Sequence, residues 1–255
     1  MRVKDKQNVG RSERKLSSQK KILKEKNRVL DKLSNNFQTL KNKQAFFSSR
    51  QSITRILYYN EIYKNIINKP GIIMEFGVEC GATLSLLTKL RGIYEPYNFS
   101  RKIVGFDTFN GFSDSLIGDE KKLGWKRGDY STPKNFEKSL EKILLLEEML
   151  APLSHIKKFE LVKGDASETV GKYIKKNPQT IIGIAIFDMD IYKPTKDVLL
   201  NIKNRLFKGS ILVFDELNDK DFPGETLALL EVLGMNNLKL NSFHGETFGC
   251  WAIIE

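Results

Sequence analysis

The chain has 255 residues, a length that suits one α/β domain with an appendage and that can bury a core without disulfides or structural metals. Its two cysteines, Cys80 and Cys250, lie far apart and inside apolar runs, which predicts reduced core thiols in a cytoplasmic protein. No apolar run approaches the roughly 18 residues of a transmembrane helix, and the basic N-terminus lacks the apolar stretch of a secretion signal. These features argue against a membrane protein and against a disulfide-rich secreted one.

The formal net charge of +11 belongs to one end of the chain. Residues 1–50 hold 15 Lys or Arg against 4 Asp or Glu, which leaves 27 residues of each sign in the rest. The body of the protein is therefore neutral. The basic leader is either a solvated tail followed by a docking helix or a segment that binds an anionic partner.

Within this leader, leucines and one phenylalanine recur at seven-residue intervals: Leu16, Leu23, Leu30 and Phe37. This spacing predicts an amphipathic helix. Gln19 and Lys26 interrupt the second apolar seam that a coiled coil requires, so the pattern favours a single docking helix. We predict a partly disordered leader over residues 1–45 and one domain over 46–255, and homo-oligomer formation stays open.

The body alternates short apolar runs with helical stretches, which is typical of a parallel sheet. The runs cover 72–76, 103–106, 159–162, 181–187 and 210–214, and the helical stretches lie near 82–91, 135–150, 167–176, 195–206 and 224–234. Two final strands, 238–243 and 248–254, are joined by a short turn around Gly245 and predict an antiparallel pair. We therefore predict a doubly wound α/β fold with a mostly parallel seven-stranded sheet, an antiparallel C-terminal hairpin and an N-terminal helical extension. Residues 113–134 form a polar connection and a candidate lid.

Ligands of open parallel sheets bind beyond the carboxyl ends of the strands. The first strand is followed by Gly77 and Gly81, whose turn lets the backbone approach a ligand. The three-glycine dinucleotide fingerprint is absent from this turn, and Glu75 and Glu79 would repel a pyrophosphate. A cofactor that carries an amino group and a sulfonium, without phosphate, suits these carboxylates.

Two further acids follow the next strands. Asp107 is placed to accept hydrogen bonds from two ribose hydroxyls. Asp165 is placed to meet an adenine amino group, or else to cap the helix that follows it. Both interpretations of Asp165 stay open.

Five stretches of the chain resemble the macrocin O-methyltransferase family. They are EFGV at 75–78, GFDTFNGF at 105–112, FDMDIYKPT at 187–195, FDE at 214–216 and FPGET at 222–226. The resemblance covers about residues 45–255 and leaves the leader outside. The family comprises class I methyltransferases that use S-adenosylmethionine (SAM), and many of them methylate sugar hydroxyls of natural products with magnesium.

The resemblance implies a role for most of the residues at the strand ends. Glu75, Gly77 and Gly81 would hold the methionine part of SAM, Asp107 the ribose, Asp165 and Ala166 the adenine, and Asp188, Asp215 and Glu216 a Mg²⁺ ion. We also assign Phe76, Thr83, Thr108, Phe109, Gly164 and Asp188 to the cofactor site. The chain departs from the family at Glu216, where a second aspartate is common, and at Lys193, where an acid is common.

The candidate catalytic residues are Asp188, Asp190 and His244. Asp188 follows the fourth strand and Asp215 the fifth, and these strands are neighbours in this fold class, so the two carboxylates are expected to converge. Asp190 is either catalytic or the cap of the helix that begins near residue 194. His244 is a candidate base at the turn of the terminal hairpin, and Tyr192 is expected to form a wall of the pocket.

The sequence therefore predicts a SAM-dependent O-methyltransferase that acts, with Mg²⁺, on a hydroxyl of a sugar or a glycosylated natural product. One alternative is a nucleic-acid methyltransferase that uses the basic leader, but the body is neutral and lacks an Asn-Pro-Pro-Tyr or Asp-Pro-Pro-Tyr motif. The other is a protein that binds SAM without catalysis, against which stands the retention of every strand-end acid.

Overall fold

The structure is a computed structural model that describes residues 22, 24–26, 28–30, 44–116, 120, 124–245 and 249–255. The chain divides into two compact units, Met1–Leu57 and Tyr58–Glu255. Most of the predicted leader lies outside the described residues, although those described between 22 and 30 are helical. The predicted boundary between residues 45 and 46 stays a prediction.

Helices and strands alternate along the described chain. The helices are α1 (Gln44–Phe47), α2 (Arg50–Lys64), α3 (Ala82–Tyr94), α4 (Phe136–Leu150), α5 (Ala166–Lys176), α6 (Tyr192–Ile202) and α7 (Gly224–Val232), with a 3₁₀ turn at Lys203–Arg205. The strands are β1 (Ile72–Phe76), β2 (Ile103–Asp107), β3 (Phe159–Lys163), β4 (Ile182–Phe187), β5 (Ile211–Phe214), β6 (Leu238–Ser242) and β7 (Cys250–Ile254). No helix in the described part of the chain is long and apolar enough to cross a membrane.

The seven strands form one sheet in the order β3-β2-β1-β4-β5-β7-β6. Strands β1 to β5 are parallel, whereas β7 pairs antiparallel with both β5 and β6. The predicted fold class is confirmed. The strand order reverses between β1 and β4, and in open α/β sheets such a switch point opens the crevice in which ligands bind.

A row of four stacked phenylalanines crosses the sheet just below this edge. Phe76 of β1 stacks on Phe106 of β2 and on Phe187 of β4, with ring centroids 5.0 and 5.5 Å apart, and Phe187 stacks on Phe214 of β5 at 5.0 Å. All four side chains are fully buried, because helices cover both faces of the sheet. The row forms an apolar floor beneath the turns that follow these strands.

The cysteines differ from the prediction. Neither forms a disulfide, as expected, and Cys250 is partly buried at the start of β7. Cys80, however, is exposed, because it lies in the turn after β1, between two residues with positive φ, Glu79 (46°) and Gly81 (74°). The expectation of two core thiols was therefore wrong for Cys80.

Candidate active site

The turns after β1 and β4 are in direct backbone contact. The N–H of Asp188 donates to the carbonyl of Phe76 at 2.9 Å, which extends the β1–β4 ladder by one residue. Gly77 has φ +93°, and a Cβ atom there would lie 1.9 Å from the carbonyl oxygen of Asp188. Only glycine fits this position, because the positive φ disfavours other residues and there is no space for a Cβ atom. The predicted cofactor turn and the first predicted metal ligand are therefore adjacent.

Asp107 joins the turns that follow β1 and β2. Its Oδ2 accepts a hydrogen bond from the N–H of Glu79 at 2.8 Å, and its Oδ1 accepts one from the N–H of Phe109 at 2.5 Å. Both donors have left-handed backbones, with φ 46° at Glu79 and 54° at Phe109, conformations that need such support. Each carboxylate oxygen can accept a second bond, so Asp107 can still meet the ribose hydroxyls.

The turn after β3 joins the same edge, because the N–H of Gly164 donates to the carbonyl of Asp107 at 2.8 Å. Asp165 caps α5, with its Oδ1 accepting from the N–H of Ser167 at 2.9 Å. The capping interpretation of Asp165 is thus what the geometry shows, and contact with adenine stays a prediction, as it does for the buried Ala166.

The other predicted cofactor residues occupy varied positions. The ring of Phe76 lies in the core, so this residue can reach a ligand only through its backbone. Thr83 is buried in the first turn of α3. The hydroxyl of Thr108 donates to the carbonyl of Gly111 at 2.7 Å, which shapes the loop after β2.

Three carboxylates converge beyond β4 and β5. One oxygen from each of Asp188, Asp215 and Glu216 lies within 4.8 Å of the others. Mg²⁺ takes oxygen ligands at about 2.1 Å in octahedral geometry, which separates neighbouring ligand oxygens by about 3 Å and opposite ones by about 4.2 Å. The bound of 4.8 Å lies a little above the separation of opposite ligands, so the three predicted ligands need only small side-chain movements to hold one magnesium ion.

The electrostatics of this cluster also suit a cation. Burial, together with the charges of Asp190 and Asp215, raises the pKa of Glu216 well above its ordinary value. The pKa of Glu225 is raised in the same direction by burial and by Asp190 and Asp188. A divalent cation would relieve this repulsion. The predictions did not include Glu225 among the site residues, because only the FPGET motif pointed to it.

Residues of the predicted lid lie near these acids. Burial raises the pKa of Tyr130 well above its ordinary range, and the charges of Asp190, Glu216, Glu79 and Asp188 raise it further. Tyr130 packs with Phe112 and Trp125 at centroid distances of 5.1 and 5.7 Å, and Trp125 contacts Phe222 at 4.9 Å. No residue of this lid was predicted to take part in the site. Two large aromatic residues in a polar connection were the available signal.

Helix α6 begins differently from the prediction. Its N-cap, Ile191, supplies no side-chain bond, and the N–H of Tyr192 donates to Oε1 of Glu120 at 2.6 Å. Asp190 has φ 63° and lies one residue before the N-cap position, so it is not the N-cap residue that was predicted. The hydroxyl of Tyr192 donates to Glu231 of α7, and its place in the pocket wall stays a prediction.

His244 is exposed in the turn after β6. Ser242 and Phe214 both pair with Cys250, which puts this turn at the edge of the sheet where β5 ends. The roles of His244 and of Asp190 as bases stay predictions.

No protein-family profile and no curated protein sequence matches the chain. Solved structures do. The calicheamicin methyltransferase CalS11 is 38% identical, with a TM-score of 0.84 over 90% of this chain and 91% of that one. Apo CalS11, described as a TDP-rhamnose 3'-O-methyltransferase, is 36% identical, with a TM-score of 0.78 over 90% and 93%. The O-methyltransferase NovP, at 15% identity and TM-score 0.62 over 79% and 80%, shares the fold.

The identity to CalS11 extends over nearly the whole of both chains, and the seven-stranded sheet with its β5-β7-β6 hairpin is the methyltransferase fold. The strand-end residues that carry the family resemblance lie together at one edge of that sheet. This chain belongs to the macrocin O-methyltransferase family of class I SAM-dependent methyltransferases.

Proposed function

We propose that this methyltransferase acts on a hydroxyl of a sugar, carried either by a nucleotide or by a natural product, and that Mg²⁺ assists the reaction. The observation that carries the proposal is the cluster of Asp188, Asp215 and Glu216 directly beside the cofactor turn. The similarity to CalS11, whose described acceptor is TDP-rhamnose, supports a sugar as the acceptor. The reduced cysteines support a place in the cytoplasm.

Methyl transfer is a displacement that needs the acceptor oxygen in line with the methyl–sulfur bond. SAM, when bound, supplies the electrophilic methyl group. We propose that Asp107 accepts hydrogen bonds from its ribose, while the buried Glu75 adds negative charge near its amino and sulfonium groups. The contact of Gly77 with Asp188 puts the turns that carry the proposed donor and acceptor sites side by side, as an in-line approach requires.

The acceptor hydroxyl must lose a proton, because an alcohol is not ionised near neutral pH. A Mg²⁺ ion held by Asp188, Asp215 and Glu216 would supply positive charge that lowers the pKa of the hydroxyl and orients it. Asp190, whose charge adds to the rise in pKa that burial causes at Glu216 and Tyr130, is the first candidate to receive the proton. His244 is the second candidate, from the turn between β6 and β7.

The aromatic residues of the lid would keep water away from the reaction. Trp125 and Tyr130 come from the connection before α4, and Phe222 comes from the loop after β5, so their contacts join two sides of the edge. Excluding water strengthens electrostatic interactions inside a site. The same rings offer apolar surface to the C–H face of a sugar.

The experiment that tests the acceptor class is a screen with isotopically labelled SAM, read by mass spectrometry. The acceptors are nucleotide sugars, small glycosides and, as the contrasting class, RNA. We expect label in a sugar hydroxyl of one of the first two classes. Labelling of RNA alone, in a reaction that depends on the leader, would contradict the proposal and support the nucleic-acid alternative.

A further inference from the structure

The start of helix α7 packs directly on the turn that follows β4. A Cβ atom at Gly224 would lie 2.5 Å from the backbone nitrogen of Tyr192 and 2.8 Å from the carbonyl oxygen of Asp190. Backbone atoms cannot yield as a flexible side chain can, so a larger residue would push the helix away. Gly224 therefore sets the distance between α7 and the turn that carries Asp188 and Asp190.

The next residue, Glu225, contacts the second acidic turn. Its side chain is fully buried, and its Oε2 accepts a hydrogen bond from the N–H of Glu216 at 3.3 Å. Its Oε1 has no hydrogen-bond partner among the described residues. Glu225 is not one of the three residues whose oxygens converge. It holds the backbone of a metal ligand and is not itself placed as a ligand.

The third residue, Thr226, holds the same loop two residues further along the chain. Its Oγ1 accepts a hydrogen bond from the N–H of Asn218 at 2.8 Å. Asn218 has φ 64°, a left-handed conformation that costs energy unless neighbouring contacts maintain it. Glu225 and Thr226 thus hold the loop after β5 through the N–H groups of Glu216 and Asn218.

We propose that Glu225 and Thr226 are positioning residues, which hold the Asp215–Glu216 turn so that its carboxylates meet that of Asp188, with Gly224 setting the spacing. This inference rests on the proposed function, because the two residues would hold the backbone of the proposed magnesium ligands. Residues that orient metal ligands commonly contribute about 10- to 100-fold to metal affinity. The FPGET motif at 222–226 thereby acquires a physical role.

The test uses full-length protein and two variants that remove one acceptor each at nearly constant shape. Glu225→Leu removes the acceptor for the Glu216 amide, and Thr226→Val removes the one for the Asn218 amide. Glu225→Gln and Thr226→Ser retain an oxygen that can accept. Thr88→Val is the matched control, because it removes a buried hydroxyl that donates to the carbonyl of Leu84 within α3.

Two measurements are made on each variant: hydrogen exchange at the amides of residues 216 and 218, and calorimetric titration with Mg²⁺ in the presence of S-adenosylhomocysteine. Loss of one hydrogen bond is expected to speed exchange at the matching amide about five- to tenfold. Affinity for Mg²⁺ should fall about 10- to 100-fold, whereas affinity for S-adenosylhomocysteine should not change. The two conservative variants and Thr88→Val should resemble the wild type in both readouts.

Unchanged exchange at both amides in Glu225→Leu and Thr226→Val would overturn the inference. The inference would also be overturned if variants with faster amide exchange bound Mg²⁺ as tightly as the wild type. If the wild type itself does not bind Mg²⁺, the metal step of the proposed function fails. Faster exchange confined to the matching amides would still show that Glu225 and Thr226 hold the loop after β5. Should Glu225→Leu not fold, Thr226→Val decides the question alone.

Discussion

The two halves of the active-site edge use the same residue type in different ways. In the proposed cofactor half, Asp107 accepts hydrogen bonds from the N–H groups of Glu79, after β1, and Phe109, after β2, and Asp165 accepts one from the N–H of Ser167 in α5. In the proposed acceptor half, beyond β4 and β5, carboxylates lie close to one another, and burial and mutual repulsion raise the pKa of Glu216 and of Glu225.

This difference teaches what each half requires. A carboxylate that accepts hydrogen bonds from backbone N–H groups keeps its position without a ligand. A cluster of buried carboxylates does not, because like charges in a low-dielectric setting repel strongly. We therefore expect the proposed cofactor half to keep its geometry without a ligand and the proposed acceptor half to be completed by a cation.

The largest expected effect separates the halves by removing the cation. Chelation with EDTA, or the variant Asp215→Asn, should lower turnover at least about a hundredfold, because a metal contributes several kcal/mol to stabilising developing charge. Affinity for SAM, measured by calorimetry, should persist. Full turnover in EDTA, with a loss of about a hundredfold in His244→Ala or Asp190→Asn, would instead indicate a metal-free base.

The converse change acts on the cofactor half. Asp107→Ala removes the acceptor of two backbone N–H groups and of the expected ribose bonds, so affinity for SAM should fall by about 1.5–3 kcal/mol, the range for hydrogen bonds to charged groups. Affinity for Mg²⁺ should stay within a few-fold of the wild type. Calorimetry with each ligand measures both, and equal losses for the two ligands would show that the halves are not separable.

Much of this edge could be predicted from the sequence, because its signals are local. The alternation of apolar runs and helical stretches defines each strand, and the seven strands lie close to their expected bounds. Convergence of Asp188 and Asp215 followed from one rule, that neighbouring parallel strands end at the same edge. The glycine turn and Asp107 were recognisable for the same reason.

Other features depend on tertiary packing that no local pattern reveals. Tyr130 lies near the acids because the connection before α4 folds back, and Glu120 takes the place at the start of α6 that Asp190 had been expected to fill. Glu225 is in a helix, where an acid near the N-terminus ordinarily stays in solvent. The start of α7 packs through Gly224 on the turn after β4, and the side chain of Glu225 is buried there.

A smaller effect concerns pH and the metal-free protein. Glu216 and Glu225 have a raised pKa in the folded state, so above about pH 4.5 the folded protein binds more protons than the unfolded chain. The free energy of unfolding should then fall as pH rises from that value through the raised pKa, by at most about 1.4 kcal/mol per pH unit for each proton.

Thermal unfolding between about pH 5 and 8, with and without Mg²⁺, measures this dependence. We expect the stabilisation by Mg²⁺ to grow with pH, and Glu225→Gln to reduce the slope of the metal-free protein. A melting temperature that does not vary with pH in EDTA would contradict crowding of the carboxylates.

The smallest expected effect probes the cofactor turn through Cys80. This thiol is exposed, whereas burial and the charge of Glu225 raise the pKa of Cys250 to about 12, which leaves it unreactive. Iodoacetamide should therefore modify Cys80 first, as peptide mass spectrometry would show.

Cys80 lies in the proposed cofactor turn, next to Glu79, whose N–H donates a hydrogen bond to Asp107. Bound S-adenosylhomocysteine should therefore slow the modification of Cys80 a few-fold. Mg²⁺ alone should leave the rate unchanged, since its expected ligands lie beyond β4 and β5. Protection by Mg²⁺ but not by S-adenosylhomocysteine would reverse the assignment of the two halves.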